Sequence, residues 1–288
     1  SGSDGVALAV TGSKDFTLRS HALDLASQLS GAAPAFLYTG HEGAVQSVAA
    51  HPHSGRFCSG SWDKMIKVWE VPTSDQLLEI ISTWRASGCA TAEGEVRSGS
   101  TKKAKVEVSD GVAAGIKERG PLCTLIGHTH AVTGVDWGRD SDVVSCGMDH
   151  TVRAWDMETQ QCTTNLSAGH VANDVAANSA GLYASAHVDR TVRVWDPRQG
   201  SMVRASLASH KGWVNAVCWG KEEHQLVSAS YDETIKIWDI RSAVPLYTIA
   251  AHDGKVLCVA IGPGGEIVSG GTDGKVKKFV DPTLAKAH

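Results

Sequence analysis

Five histidine–aspartate pairs recur along the chain, and a carboxylate beside an imidazole is a common arrangement in general acid–base catalysis. Each histidine precedes its aspartate by 19 to 22 residues, and the pairs are His41 and Asp63, His128 and Asp149, His170 and Asp189, His210 and Asp232, and His252 and Asp273. An active site needs such a pair once, whereas this chain repeats it. The repetition therefore predicts a structural unit and not a set of active sites.

Other patterns that carry catalysis do not occur in the sequence. The chain has no phosphate-binding glycine loop, no G-x-S-x-G nucleophile motif and no H-E-x-x-H zinc motif. The His-Pro-His run at 51–53 and the His-Thr-His run at 128–130 each lack an identifiable third metal ligand. The sequence therefore predicts no enzyme, no metal site and no cofactor.

An aromatic residue marks the strand that follows each aspartate. It stands six residues after the aspartate, at Trp69, Trp155, Trp195 and Trp238, with Phe279 in the last copy. The run "KMIKVW" that ends at Trp69 alternates its side chains like a β-strand, and a small-residue run such as "FCSGS" comes before the aspartate. Most successive aspartates are 40 to 43 residues apart, which predicts a repeating unit of short strands.

These units resemble the WD40 repeat, in which Gly-His precedes the first strand and Trp-Asp ends the third. Gly40, Gly127 and Gly169 complete the Gly-His pair in three copies. The resemblance implies an all-β WD40 β-propeller, seven-bladed in the intact family, of which about five and a half blades are present here. It also implies that the histidine, aspartate and tryptophan of each unit form a buried, hydrogen-bonded, structural set. The sets are His41–Asp63–Trp69, His128–Asp149–Trp155, His170–Asp189–Trp195, His210–Asp232–Trp238 and His252–Asp273.

The chain is expected to form one propeller domain over residues 1–288. Residues 1–39 contain a weak copy around Asp15 but no histidine start, so they fit a partial first blade. Residues 72–120 are rich in serine, glycine and charge and have no Gly-His landmark. We expect a long insertion loop there, inside the second visible blade, with a degenerate hidden blade as the alternative. An N-terminally truncated seven-bladed ring and a closed six-bladed ring both fit the blade count.

Composition sets limits on the environment and the partners. The net charge of −4 argues against a surface devoted to nucleic acid, and no apolar run is long enough to cross a membrane. The seven cysteines are scattered without a CxxC pair and are expected to be reduced. Lys102, Lys103 and Lys105 form a basic cluster in the insertion, which fits a nuclear-import signal, an RNA contact or simply a solvated loop.

A propeller without catalytic groups binds partners on its faces. The residue before each turn aspartate, and the residue before the first valine of the first strand, are expected on the rim of one face. These positions hold Trp62, Met148, Trp213, Tyr231 and Lys255, among others. Exposed aromatic and soft apolar side chains often dominate binding energy, so these five are candidate partner-binding residues. The alternative is that they only cover neighbouring loops.

A narrower resemblance rests on the order of several segments. "FCSGSWDKMIKVW", a charged insertion, "TLIGHTHAVTGVDW", "DRTVRVWDPR", "SHKGWVNAVCW" and "DETIKIWDIR" follow one another as in the WD-repeat ribosome-biogenesis proteins that act with Pescadillo and Block-of-proliferation. That family implies a scaffold for large-subunit assembly and ribosomal RNA maturation, in the nucleolus and nucleoplasm. It implies docking to a Block-of-proliferation-type WD40 protein in pre-60S particles. A Midasin-type ATPase is implied only where the family's N-terminal ubiquitin-like domain is present, and we expect no such domain within residues 1–288.

A second class of function is carried by two short motifs. "WDPR" ends at Arg198 and "WDIR" ends at Arg241. The WDxR pattern is similar to that of WD40 substrate receptors for cullin-type ubiquitin ligases. Replacing both arginines should abolish binding to a ligase adaptor if this second function is correct, and should have little effect on a ribosome-assembly scaffold.

Overall fold

The computed structural model describes residues 7–23, 34–72, 117–139, 142–199, 203–262 and 264–280. Six small sheets follow one another along these ranges, and the first strands of successive sheets pack side by side. The predicted all-β propeller architecture is confirmed, with each sheet forming one blade. The basic cluster Lys102, Lys103 and Lys105 lies outside the described residues.

Four blades have four antiparallel strands each. Blade 2 contains β4 (Val45–Ala50), β5 (Arg56–Ser61), β6 (Met65–Glu70) and β8 (Cys123–Ile126). Blade 3 contains β9 (Val132–Trp137), β10 (Val143–Gly147), β11 (Thr151–Asp156) and β12 (Gln161–Ser167). Blade 4 contains β13 (Ala172–Ala177), β14 (Tyr183–His187), β15 (Thr191–Trp195) and β16 (Val203–Ala208). Blade 5 contains β17 (Val214–Trp219), β18 (Gln225–Ser230), β19 (Thr234–Asp239) and β20 (Pro245–Ala250).

The first and last blades differ from this plan. Blade 6 has three strands in the described ranges, β21 (Val256–Ile261), β22 (Glu266–Gly271) and β23 (Val276–Val280). Blade 1 contains β1 (Ala7–Gly12), β2 (Leu18–Leu23), β3 (Pro34–Tyr38) and β7 (Lys117–Arg119). A short 3-10 turn, Pro197–Gln199, follows β15.

Strand β7 lies within residues 72–120, which the sequence predicts to be a loop. Residues 117–119, within the expected 72–120 loop, pair in parallel with β3 and close the outer edge of blade 1. Thr39 N donates to the carbonyl of Arg119 at 3.1 Å, and the Arg119 guanidinium lies 4.7 Å above the ring of Phe36. Pairing satisfies backbone groups that an unpaired edge would expose to solvent, which explains the added strand.

The hydrophobic core is divided among the spaces between neighbouring blades. Ile66 and Val68 of blade 2 are buried together with Val132 and Val135 of blade 3, and similar clusters join each further pair of successive blades. Each fully buried side chain of this size stabilises the fold by about 1.5–3 kcal/mol, because its apolar surface is removed from water. Both faces of most sheets are therefore covered, which explains why the strands carry apolar residues on both sides.

The turn that contains the repeated aspartate has the same conformation in every blade; it joins the second and third strands in blades 2 to 6 and joins β1 to β2 in blade 1. The residue after the turn aspartate has φ between 64° and 73°, and these residues are Phe16, Lys64, His150, Arg190, Glu233 and Gly274. The aspartate Oδ1 accepts a hydrogen bond from the amide two residues later, for example from Met65 N at 2.9 Å. This bond fixes the turn and compensates for the left-handed backbone of its non-glycine residues.

Candidate functional site

Each repeated histidine–aspartate pair in blades 2, 3 and 5 belongs to a buried four-residue network. In blade 2, His41 Nδ1 lies 2.6 Å from Asp63 Oδ2, and His41 Nε2 lies 2.8 Å from Ser59 Oγ. Trp69 Nε1 donates to the same Ser59 hydroxyl at 2.8 Å. Equivalent networks join His128, Asp149, Ser145 and Trp155, and His210, Asp232, Ser228 and Trp238.

The hydrogen bonds fix the histidine tautomer in each network. A carboxylate can only accept, so His41 Nδ1 carries the hydrogen that is donated to Asp63. The indole N–H of Trp69 donates to Ser59, and the serine hydroxyl is then directed at the lone pair of His41 Nε2. The chain of donors therefore runs from the tryptophan to the serine and the histidine, and a neutral imidazole satisfies every member.

The aspartates of these networks remain ionised. Burial alone would raise the pKa of Asp149, but hydrogen bonds from His128 and Thr151 outweigh it and hold the pKa well below its ordinary value. The pKa of Asp232 is lowered for the same reasons, by His210 and Thr234. The histidine side chains are 0% exposed. A substrate cannot reach such a base, so the networks are structural.

Blade 6 has the same network without the tryptophan. His252 Nδ1 lies 2.9 Å from Asp273 Oδ1, and His252 Nε2 lies 2.8 Å from Ser269 Oγ. Phe279 occupies the tryptophan position and has no N–H to donate. The serines of all these networks were missed by the sequence analysis, although they lie inside the small-residue runs that it identified.

Blade 4 departs from the expected set. His170 is 57% exposed and lies 3.7 Å from Asp189, whereas the buried His187 approaches Ser185 Oγ at 2.7 Å. Trp195 Nε1 donates to the same Ser185 hydroxyl at 2.7 Å. The prediction that His170 belongs to a buried set is therefore wrong.

His187, and not His170, occupies the buried histidine position of blade 4 for a steric reason. The position two residues before the turn aspartate is serine or glycine in the other histidine-bearing blades, and the loop histidine is buried in each of them. The large His187 side chain fills this space in blade 4 and excludes the loop histidine. Asp189 instead binds Arg193, and burial lowers the pKa of His187 to about 4. A histidine at that position was the sequence signal for the exchange.

Polar side chains on the innermost strands connect one blade to the next, and they are not among the residues predicted from the sequence. Asp136 Oδ2 accepts from Ala177 N of blade 4 at 2.9 Å, and Asp174 Oδ2 accepts from Val217 N of blade 5 at 3.0 Å. The Asn173 amide donates to the carbonyl of Val214 at 2.8 Å. These bonds cross the spaces between sheets, so they hold neighbouring blades in register.

Both of these aspartates have a raised pKa. Desolvation raises the pKa of Asp136 to about 6 and that of Asp174 to about 7, against the lowering effect of their amide hydrogen bonds. The negative charge of Asp136 raises the pKa of Asp174 further. Ionisation of these two groups therefore works against the fold.

The five predicted partner-binding residues are distributed over four blades. Trp213 and Tyr231 of blade 5 stack with ring centroids 5.8 Å apart, and Lys255 Nζ of blade 6 lies 4.7 Å above the Tyr231 ring. Trp62 lies in blade 2, is 55% exposed and donates its indole N–H to Gln46 at 3.2 Å. Met148 is half-buried in blade 3. Three of the five residues thus form one exposed group, which we call the aromatic platform: Trp213, Tyr231 and Lys255.

The two WDxR arginines lie at the opposite ends of the strands from the aspartate turns. Arg198 Nε donates to Asp196 at 2.9 Å, Arg241 Nε donates to Asp239 at 2.9 Å, and both arginine side chains are more than 60% exposed. A cavity of 390 Å³ lies beside Arg241, and Glu222, Glu223 and Leu246 are among its lining residues. The face therefore presents fixed but accessible arginines.

The described ranges lack two features, a metal-ligand cluster and a membrane-spanning helix. They contain no group of three or more histidine, cysteine, aspartate or glutamate side chains that could hold a metal ion. Within the same residues, no helix is long and apolar enough to cross a membrane.

The chain is similar to proteins of known family. The model described as "WD domain, G-beta repeat" matches residues 33–70, 119–156, 160–196, 202–239 and 243–279. A Nematostella vectensis "Ribosome biogenesis protein WDR12 homolog" is 36% identical over 82% of this chain and 54% of its own length. The protein of the same name from Oryza sativa subsp. japonica is 33% identical over 93% of this chain and 59% of its own length. The chain thus spans little more than half the length of these relatives.

A solved structure supports the fold alone. The WD40 β-propeller domain of Doa1 superposes with a TM-score of 0.70 at 19% identity, over 96% of this chain and 76% of that one.

Proposed function

Because this chain belongs to the WD40-repeat family and its relatives are named ribosome biogenesis proteins, we propose that it is a non-catalytic scaffold in ribosome biogenesis. The observation that carries the proposal is the similarity to these proteins along most of the chain. The buried histidines support it, because in the described blades their side chains are closed to substrate. A row of packed blades with two faces suits an assembly factor that holds other proteins in place.

The finer proposal concerns the particle and the partners. We place the chain in pre-60S particles, where it would support large-subunit assembly and ribosomal RNA maturation. A Block-of-proliferation-type WD40 protein and Pescadillo would be its direct neighbours, in the nucleolus and nucleoplasm. Engagement of a Midasin-type ATPase is expected only for a protein that also carries the ubiquitin-like N-terminal domain.

The exposed rim residues are the proposed partner contacts. Trp62 in blade 2 and Trp213 of the aromatic platform are just over half exposed, and an aromatic side chain at the centre of an interface is worth about 2 kcal/mol or more. The bonds from Asp136, Asn173 and Asp174 would keep these separate surfaces at a fixed distance from one another.

Affinity purification of the tagged chain from nuclear extract tests the proposal. Recovery of Pescadillo, Block-of-proliferation and large-subunit precursor proteins, identified by mass spectrometry, is the expected result. The wild-type chain is compared with Trp62→Ala and with a doubly substituted Arg198→Ala, Arg241→Ala chain. Loss of the recovered proteins with Trp62→Ala and their retention with the arginine variant would assign docking to the rim.

The second candidate function is a substrate receptor for a cullin-type ubiquitin ligase. It is favoured by one observation: Arg198 and Arg241 are exposed on one face, each oriented by its own aspartate. The same purification decides between the two functions. Recovery of a cullin adaptor in place of ribosome precursors, lost when both arginines are replaced, would contradict the scaffold proposal.

A further inference from the structure

Trp213 is fixed in place while it remains exposed to solvent. Its indole is 53% exposed and lies nearly parallel to the ring of Tyr231, with 24° between the planes. Tyr231 N donates to the carbonyl of Trp213 at 2.9 Å, which holds the two residues side by side. Gly212 permits this approach, because a Cβ there would lie 2.8 Å from the Asp232 amide nitrogen. The platform is therefore organised before any ligand binds.

Trp213 is also unusual among the tryptophans in its hydrogen bonding. Within the described ranges, seven tryptophans donate their indole N–H to a serine, a glutamine or a backbone carbonyl; these are Trp62, Trp69, Trp137, Trp155, Trp195, Trp219 and Trp238. Trp213 donates to none of the described residues. Its ring face and its donor are both available to a ligand.

Two lysines give the platform a positive character. Lys211 lies two residues before Trp213, and Lys255 covers Tyr231; no carboxylate of the described residues forms an ion pair with either. Asp253 pairs with Lys275 at 3.2 Å, and the ionised Asp232 is largely buried against His210, which leaves Glu233 as the exposed acidic side chain of the turn. Two exposed lysines against one exposed carboxylate without an ion pair to the described residues therefore favour an anionic ligand.

We propose that the aromatic platform, together with Lys211, binds single-stranded RNA by stacking a base on Trp213. A nucleobase has the flat π face that an exposed indole can stack on, and its phosphates suit unpaired lysines. The indole N–H can in addition donate to a base or phosphate oxygen. An acidic peptide would use the lysines but has no need of a preorganised indole face. The proposal goes beyond a scaffold role, which does not require contact with RNA.

Blade 2 supplies a matched control on the same face. Trp62 is as exposed as Trp213, and its amide bonds the carbonyl of Ala44 at 3.0 Å just as Tyr231 bonds Trp213. Ala44 stands where blade 5 has Trp213, so no aromatic pair forms there. The indole N–H of Trp62 is also occupied by Gln46. Trp62→Ala removes the same surface area without removing a stacking platform.

The test is fluorescence anisotropy with the 288-residue chain and a labelled RNA of about 10 uridines, a length within the range covered by single-stranded sites. Trp213→Ala should weaken binding by about 5- to 150-fold, the range expected for the loss of one stacked base. Trp213→Phe should recover most of the affinity, and Trp62→Ala should leave it unchanged. Lys211→Gln should lower the slope of log K against log salt by about 0.7, as for one phosphate contact on a single strand.

Three results would overturn the proposal. One is an equal affinity of Trp213→Ala and Trp62→Ala for the RNA, measured with variants that keep the wild-type urea midpoint. Another is absence of RNA binding by the wild-type chain. The third is tighter binding of a poly-glutamate peptide than of RNA with the same dependence on Trp213, which would assign the platform to an acidic protein partner.

RNA binding by the platform and the scaffold role in ribosome biogenesis can be tested separately. A Trp213→Ala chain that has lost RNA binding but still recovers ribosome precursors would support RNA binding by the platform and the scaffold role, and would leave Trp62 as the proposed protein contact. Recovery of no precursor by a wild-type chain that binds RNA would contradict the scaffold role alone.

Discussion

Ser228 is the residue on which the buried network of blade 5 depends. Its hydroxyl accepts from Trp238 Nε1 at 2.8 Å and faces His210 Nε2 at 2.8 Å, and all three residues are buried. Ser228→Ala removes one oxygen and leaves little space, so the loss is almost purely one of hydrogen bonds. Two buried polar atoms lose their partner at about 1–3 kcal/mol each, which gives a total destabilisation of about 2–6 kcal/mol.

Blade 6 provides the matched control for this substitution. Ser269 faces His252 Nε2 at 2.8 Å in the same geometry, but Phe279 replaces the tryptophan, so no indole N–H depends on this hydroxyl. Ser269→Ala leaves one buried atom without its partner and should cost about 1–3 kcal/mol. The difference between the two variants therefore measures the buried indole donor alone.

Urea denaturation followed by tryptophan fluorescence gives both free energies of unfolding. We expect a lower midpoint for each variant, an unchanged dependence on denaturant, and a larger loss for Ser228→Ala. A cost for Ser228→Ala that is no greater than the cost for Ser269→Ala would refute the reasoning, because the indole N–H would then have found another partner. A loss below about 0.5 kcal/mol in both variants would show that the networks are not desolvated.

Three further predictions concern blade 4, the inner strands and the turns. His187→Ala should destabilise the fold by about 1–3 kcal/mol, and His170→Ala by less than about 0.5 kcal/mol. Urea titrations of both variants measure these losses. A larger loss for His170→Ala would contradict the conclusion that His187 takes the buried position in blade 4. Because burial raises the pKa of Asp174 to about 7, its ionisation disfavours the folded state, and its contribution to stability falls as pH rises from about 4 to 7. The stability of Asp174→Asn relative to wild type should therefore increase as pH rises from about 4 to 7. A stability difference between variant and wild type that does not change with pH would contradict this prediction. Lys64 and Gly274 both have a left-handed φ. Lys64→Gly should therefore raise the free energy of unfolding by about 0.5–1 kcal/mol, and Gly274→Lys should lower it by a similar amount. Thermal unfolding of both variants checks the sign of each change.

Local features of the fold could be predicted because each repeat carries its own landmarks. The turn aspartate of blade 2 is fixed by a bond to Met65 two residues away, and the alternation that ends at Trp69 lies within one strand. Interactions of such short range are written into neighbouring residues. The repetition then implied stacked sheets, since a small sheet with two apolar faces has to be covered on both.

The candidate site could be predicted only in part. The rim positions of Trp213, Tyr231 and Lys255 followed from their place in the repeat, but their mutual contact did not. Tyr231 reaches Trp213 through the pairing of β17 with β18, and Lys255 reaches Tyr231 from the next blade. The inter-blade bonds of Asp136 and Asp174 likewise depend on the position of another sheet.

The sequence alone determined the repeat, the strand landmarks and the residues that form most of the buried networks, because these depend on contacts within one repeating unit. The tertiary structure decided which of two histidines enters blade 4, since His187 and His170 compete for one volume. It decided that residues 117–119 pair with β3, about eighty residues earlier in the chain, where an open edge was available. Such outcomes depend on the space and the unpaired groups that distant segments leave, and these are defined only when the blades are packed together.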